Sequence, residues 1–332
     1  MTPTVCHVIV GPRRHGVVRH AVACAATLGG PVVTARDVAE LRETIIPDAE
    51  RIHIHFTDRL FGDTATLGAD EFVAFASASD RPVSTTLHDV PQPSDGRAFA
   101  MRVEAYRRVI DAADGVVVSS DHERTLLSEH SDRRGIDVIP LAIDRSPTPT
   151  GDRPPVRAVV GVLGFIYPGK GHAEVIEALG SLDADLGLLA LGAVADGHED
   201  MVADLATRAA GVDVAFETTG FVPDSALQAA LRSVAVPVAY HRHLSASASI
   251  NTWIEAGRRP LVPRNRYTAE IEANSPGVLW LHGDSLDDLR GAVAAAAAEP
   301  ELTWLADDVV VYPTSAQVGE LYRARFDAWS RR

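Results

Sequence analysis

Residues 161 to 172 read GVLGFIYPGKGH and hold a near-complete phosphate-binding pattern. Gly164, Gly169 and Lys170 fit G-x-x-x-x-G-K-[ST], but position 171 is Gly. A loop of that type needs a hydroxyl after the Lys to hold magnesium. Its interior also needs exposed backbone donors, whereas Phe165, Ile166, Tyr167 and Pro168 are bulky or lack an N–H. A nucleoside-triphosphate loop is therefore disfavoured. What remains is a different phosphate site that also ends in Lys-Gly.

Other residues carry weaker chemical signals. RIHIHFT places His53 and His55 on one face of a strand, with Ile52, Ile54 and Phe56 on the other. A metal site needs a third ligand at suitable spacing, and the sequence offers none, so no metal is expected. HRHLSAS carries His241, Arg242 and His243 in what reads as a loop ahead of a helix. The two cysteines, Cys6 and Cys24, stand singly, which indicates neither a zinc site nor a disulfide framework. G-x-S-x-G is absent, and no complete G-x-G-x-x-G follows the first strand, which argues against a hydrolase elbow and a dinucleotide oxidoreductase.

The elements that position these residues alternate. Strands are expected at Val5–Val10, Pro31–Thr34, Ile52–Phe56, Val83–Leu87, Gly115–Ser119 and Asp137–Leu141. A helix is expected over Arg97–Ala113, and Ser120 with Glu123 forms a capping-box signature after a strand. SPTPTGDRPP, residues 146 to 155, reads as a linker. The alternation then restarts with strands at Arg157–Leu163, Leu186–Leu191, Val212–Phe216, Val236–Tyr240, Pro260–Val262 and Val278–Leu281. Helical patterns follow Lys170, Asp196, Pro223, Ser249 and Ser285, and a terminal helix spans Thr314–Trp329. Alternating strand and helix predicts an α/β protein with parallel sheets. Ligands are expected at the carboxyl ends of the strands.

Composition sets the frame. The chain has 332 residues, comfortable for two domains, and 46% apolar residues, enough for sizeable cores. A formal charge of −14 speaks against a nucleic-acid partner. The apolar run Ala292 to Ala298 is too short to span a bilayer, and no signal-peptide layout is seen, so a cytoplasmic location is expected.

The stretch from Gly164 to Gly171 resembles the G-[KR]-x-x-x-x-K-G signature of retaining GT-B glycosyltransferases, the group 1 family of bacterial mannosyl- and glucosyltransferases. Other segments resemble that family in the same order along the chain. VIVGPRRHGVVRHA resembles its glycine loop, STTLHDVPQ its T-x-H-[DN], and GVVVSSDHERTLL its strand–Ser–helix before the linker. IDVIPLAID, TTGFVPDSALQAAL and SASASINTWIEAGRRPLV resemble later segments. Three positions depart from the pattern: Phe165 stands for the usual basic residue, Ala142 for a Gly, and Ser247 for the first glutamate of E-x7-E.

The resemblance implies a GT-B architecture of two Rossmann-like domains facing a central cleft. Residues 1–148 would form an acceptor domain and 149–312 a nucleotide-sugar domain, with 313–332 as a helix packing back on the first. It implies that Lys170, after Gly164, neutralises the departing diphosphate, helped by free N–H groups near Ser247, Ser249, Ile250 and Asn251. By the same resemblance Glu255 meets the ribose hydroxyls, His88 the sugar hydroxyls, and the backbone of Phe221 and Val222 the nucleobase. Gly16 would let the chain approach the donor. Arg242 is the candidate to replace the charge missing at Phe165.

The implied activity is transfer of a hexose from a nucleotide diphosphate sugar to a hydroxyl of a saccharide or related acceptor. Configuration would be retained and no metal or other cofactor used. Mannose from GDP-mannose is favoured and glucose is next. Alternatives are a nucleotide-sugar epimerase of the same architecture and a non-catalytic sugar-nucleotide binder. The expected partners are the donor and acceptor, with a homodimer left open.

Overall fold

A computed structural model describes residues 3–146, 156–241 and 246–331. Arg242 and residues 147–155 of the expected linker lie outside them. The chain divides into two compact units, Met1–Ala142 with Pro313–Arg332, and Ile143–Tyr312.

In the first unit six strands form one sheet: β1 (Val5–Val10), β2 (Val32–Ala35), β3 (Arg51–Phe56), β4 (Val83–Leu87), β5 (Gly115–Val118) and β6 (Ile136–Val138). Their order is β2-β1-β3-β4-β5-β6, and every pairing is parallel. The strands β1, β3 and β5 are buried along their length and carry Val or Ile residues, as the middle of a sheet covered on both faces requires. The connecting helices are α1 (Gly16–Leu28), α2 (Val38–Glu43), α3 (Asp58–Phe61), α4 (Ala65–Ala78), α5 (Phe99–Ala112) and α6 (Asp121–Ser128). Ser120 caps α6 by accepting from the Glu123 N–H at 3.0 Å, and the Glu123 carboxylate accepts from the Ser119 N–H at 2.7 Å. The expected box is thus present, with the return bond one residue early.

The second unit repeats the plan. Its strands are β7 (Arg157–Leu163), β8 (Gly187–Leu191), β9 (Phe216–Thr218), β10 (Val234–Val238), β11 (Leu261–Pro263) and β12 (Trp280–His282). They run in the order β12-β11-β10-β7-β8-β9, again all parallel. Its helices are α7 (His172–Leu179), α8 (Met201–Gly211), α9 (Asp224–Arg232), α10 (Ala248–Glu255), α11 (Arg266–Asn274) and α12 (Leu286–Ala298).

Several strands shift from expectation: β10 starts and ends two residues earlier than Val236–Tyr240, β6 is shorter than Asp137–Leu141, and two others move towards the carboxyl end. The apolar residue in Val212–Phe216 that counts for packing, Val214, is buried in a turn beneath α8, and pairing starts only at Phe216. Asp213 has φ 57 there, a left-handed conformation that breaks an extended run. Likewise Val278 and Leu279 fill the core but precede the pairing of β12. Burial, not strand geometry, explains their apolar character.

The last helix, α13 (Ser315–Ser330), belongs to the first unit. Tyr322, Phe326 and Trp329 on it pack with Val5, Cys24, Val117 and Ile139. The Tyr322 hydroxyl meets Thr86 Oγ1 at 2.7 Å. Gly115 gives the Trp329 ring its place: a Cβ there would lie 2.5 Å from the indole. Among the described residues no helix is long and apolar enough to cross a membrane.

Candidate active site

In the second unit strand order reverses between β7 and β10, and the carboxyl ends of those strands frame a crevice. Lys170 comes from the loop after β7 and α10 from the loop after β10. Gly164 ends β7 at φ 116, and Gly171 caps α7 at φ 100. At Gly171 a Cβ would collide with the Tyr240 carbonyl oxygen, so only glycine lets this loop lie against the end of β10. Lys170 is folded back and 6% exposed. Its Nζ donates to Ser249 Oγ at 3.1 Å and lies 5.9 Å from the Tyr167 ring centroid. Among the described residues no carboxylate pairs with it. Burial pulls its pKa from the ordinary 10.5 to about 7.

Ser247 is the N-cap of α10, and its Oγ accepts from the Ile250 N–H at 3.4 Å. The helix thus begins at Ala248, one residue before the expected Ser249. Ser247 and Ser249 hydroxyls meet at 3.0 Å, and the Tyr267 hydroxyl accepts from the Ser247 N–H at 3.0 Å. Ile250 and Asn251 are buried in the first turn. The N–H groups of Ser247, Ile250 and Asn251, expected to be free, are engaged by the Tyr267 hydroxyl, the Ser247 hydroxyl and the Ser247 carbonyl, because Ser247 caps the helix. The result is a buried lysine beside the positive end of a helix dipole, an arrangement suited to an anion.

His172 and His241 complete this surround; sequence reading passed over His172 and took His241 for a loop residue. His241 is 7% exposed, not a surface-loop residue, with its ring nitrogens 3.5 Å from Ser247 Oγ and Ser249 Oγ. His172 follows Gly171 directly; its two ring nitrogens are buried without a partner among the described residues. Burial lowers the pKa of both, His172 to about 3, and the nearby Lys170 charge adds to this. The signal for His172 was its place after Lys-Gly; for His241 there was none, since burial of a loop is a tertiary property.

Glu255 ends α10, about 9 Å along the helix axis from Ser249. Burial raises its carboxyl pKa to about 7, partly offset by a hydrogen bond from the Asp144 backbone. It is therefore not a solvated helix residue, and it stands at the opposite end of α10 from Lys170. Phe221, 51% exposed, and Val222 follow the turn after β9, at the same edge of the sheet as Phe165, which is 48% exposed.

In the first unit the order reverses between β1 and β3. Gly16 opens α1 with nothing within 4 Å of where a Cβ would lie. His88 follows β4 and is held on several sides. Its N–H donates to the Phe56 carbonyl at 2.8 Å, and its own carbonyl accepts from the Tyr106 hydroxyl at 2.6 Å. Next to it, Asp89 at φ 49 accepts from Thr57 Oγ1 at 3.0 Å, and Arg102 donates to its carbonyl at 2.5 Å. Arg102 is in turn paired with Asp58 at 2.9 Å and Asp95 at 2.6 Å. His53 is fully engaged, with Ser84 Oγ and Thr86 Oγ1 each at 3.0 Å. His55 instead meets His88, Nδ1 to Nε2, at 3.0 Å. His20, on α1, packs against both rings, so the fold supplies neighbours that strand spacing did not reveal.

No family model matches the chain. It is 28% identical over 144 residues to a D-inositol 3-phosphate glycosyltransferase of Mycolicibacterium gilvum, covering 38% of this chain and 31% of that protein. The same-named protein of Mycolicibacterium vanbaalenii is 29% identical over 144 residues, with 38% and 30% covered. The match therefore spans less than a third of the length of these curated relatives. Among solved structures, HepE of Anabaena in complex with UDP and glucose aligns with a TM-score of 0.72 at 13% identity, over 99% of this chain and 97% of that one. Sucrose-phosphate synthase of Thermosynechococcus elongatus aligns with a TM-score of 0.67 at 13% identity, over 98% and 94%. The chain has the GT-B glycosyltransferase fold: α/β, with two parallel six-stranded sheets and their helices. The resemblance to group 1 glycosyltransferases seen in the motifs recurs in these sequence relatives and fold neighbours.

Proposed function

We propose that the protein is a glycosyltransferase that moves a hexose from a nucleoside diphosphate sugar to an acceptor hydroxyl, with retention and without a divalent ion. The observation that carries this reading is Lys170: an ammonium buried against the first turn of α10 with no carboxylate partner among the described residues. A group so placed is costly until an anion arrives. A departing diphosphate is such an anion, and its charge grows as the glycosidic bond breaks. Lys170 and the positive end of the α10 dipole would stabilise that charge most in the transition state. They take the place a metal ion holds in other transferases, which is why transfer is proposed to be metal-independent.

Glu255 would accept from the ribose hydroxyls, since α10 spaces it from the anion site by about 9 Å. The backbone at Phe221 and Val222 would lie against the base, and Gly16 would leave room for the donor. His88 would orient a sugar hydroxyl, and the clamp around it fixes its backbone. The second unit is proposed to hold the nucleotide sugar and the first the acceptor, in the cytoplasm. GDP-mannose is the favoured donor and UDP-glucose, which HepE binds in another of its structures, is next.

Arg242 is proposed to share the diphosphate charge. Arg242→Ala is expected to weaken nucleoside diphosphate binding by about 1.5–3 kcal/mol, the scale of a charge-assisted hydrogen bond, and nucleoside binding hardly at all. Equal diphosphate affinity in both proteins, measured by calorimetry, would remove Arg242 from the site. A non-catalytic binder is the second reading, favoured by Ser247, which serves as a helix cap where the resembled family has a carboxylate. Incubation with GDP- and UDP-sugars, with and without acceptor, separates the readings. Transfer needs the acceptor, epimerisation proceeds without it, and a binder does neither.

A further inference from the structure

His20, His55 and His88 come from α1, β3 and the turn after β4, yet one ring nitrogen of each lies within 4.8 Å of the other two. Their ring centroids are 5.3, 5.4 and 5.3 Å apart. His55 and His88 are 3% and 7% exposed, and His20 is partly buried. Burial keeps all three rings neutral near pH 7, with His20 lowered to about 4.

The hydrogen bonding of this group is incomplete. His55 Nδ1 and His88 Nε2 share one contact at 3.0 Å, His20 Nε2 lies 3.4 Å from Cys24 Sγ, and His55 Nε2 is buried with no partner among the described residues. A buried imidazole nitrogen without a partner is costly. Its neighbour His53 offers no relief, because both of its nitrogens are taken by Ser84 and Thr86. Three neutral imidazoles whose ring nitrogens converge suit one kind of guest. A borderline divalent ion such as Zn2+ or Co2+ binds imidazole nitrogen at about 2.0–2.1 Å, which sets ligand atoms roughly 3.4 Å apart in a tetrahedron. One nitrogen pair is 3.0 Å apart and the ligand atoms all lie within 4.8 Å of one another, so the set brackets that spacing. Mg2+ and Ca2+ prefer oxygen and are not matched to this set.

The geometry points to a transition-metal site formed by His20, His55 and His88, with three protein ligands and one open position. The surrounding clamp supports it. The Tyr106 and Arg102 bonds to the His88 and Asp89 carbonyls fix the backbone that carries one ligand. This ion has no part in the diphosphate chemistry proposed for Lys170; His88 would hold it through one ring nitrogen and keep the other for the sugar hydroxyl, and binding of the ion can be measured whether or not the chain transfers a sugar.

The test uses the full chain without a histidine tag, stripped with chelator. Co2+ is titrated while visible absorption is followed, and Zn2+ is titrated by calorimetry. One ion per chain is expected, with the intense visible bands of four-coordinate cobalt and no competition from excess Mg2+. His20→Ala and His55→Ala should each weaken binding at least about tenfold, the lower end of the loss seen when support of a metal ligand is removed. The exposed His130→Ala should leave it unchanged. His20 lies on an amphipathic helix, so its variant keeps the fold if His55→Ala does not. Lack of binding by the folded wild type would overturn the site. So would a His20→Ala protein that binds either ion as tightly as wild type.

Discussion

Lys170 ties together the residue-scale chemistry. Its amine has a pKa of about 7 in the folded chain against an ordinary 10.5, so between those values the unfolded chain holds the extra proton. Stability of the ligand-free protein should therefore rise with pH across that window. At and below about pH 7 the lysine is charged in both states and its burial weighs most. Lys170→Met should raise the melting temperature near pH 6 and lessen the rise with pH. The same substitution should remove the extra melting shift that a nucleoside diphosphate gives the wild type. A melt series in pH with and without GDP or UDP checks both halves. For turnover, Lys170→Ala is expected to lose about a hundredfold or more, the scale of one strong transition-state charge contact. Near-normal turnover would place the diphosphate elsewhere. Diphosphate affinity should also fall as pH rises above about 7, because the free amine must first recover its proton. Calorimetry in buffers of different ionisation enthalpy would register that uptake.

At the scale of elements, the loop from β7 to α7 shows how backbone geometry makes an anion site. Gly171 is needed twice, for its φ of 100 and for the missing side chain against the Tyr240 carbonyl. Gly197 has φ 79 but open space around it, so it carries only the first demand. Gly171→Ala should cost about 1–3 kcal/mol of stability from strain, and clearly more than Gly197→Ala, in paired urea melts. These elements differ in how far the sequence revealed them. Lys170, Gly164 and the start of α10 were legible because turn glycines and a cap have fixed local signatures. The strands of both sheets were legible because buried parallel strands read as short Val- and Ile-rich runs. Val214, Val278 and Leu279 misled by the same rule, since apolar character reports burial and not pairing. His20, His55 and His88 were not legible as a group, because only the sheet order brings α1, β3 and the turn after β4 together. The buried state of His241 was hidden for the same reason.

At the scale of the molecule, α13 completes the first unit from the far end of the described chain. Its aromatic face covers β1 and β5 residues and supplies a hydroxyl to Thr86. Trp329→Ala should cost about 3–5 kcal/mol, since a large buried ring leaves a cavity that the sheet cannot close. The loss should appear as a lower urea midpoint with the transition of the first unit affected. Gly115→Ala should destabilise through the same contact from the other side, by driving a methyl into the indole.

The first unit is made of two pieces of chain, with the whole of Ile143–Tyr312 lying between them in sequence. During synthesis the early piece must wait on the ribosome, its β1 and β5 neighbourhood uncovered, until the last helix emerges. The intervening unit has all its elements in hand before that helix emerges and can close first. Nascent chains stalled just before α13 should therefore be protease-resistant in the second unit and chaperone-dependent in the first, reversing the usual order in which the amino-terminal part of a protein matures ahead of the rest.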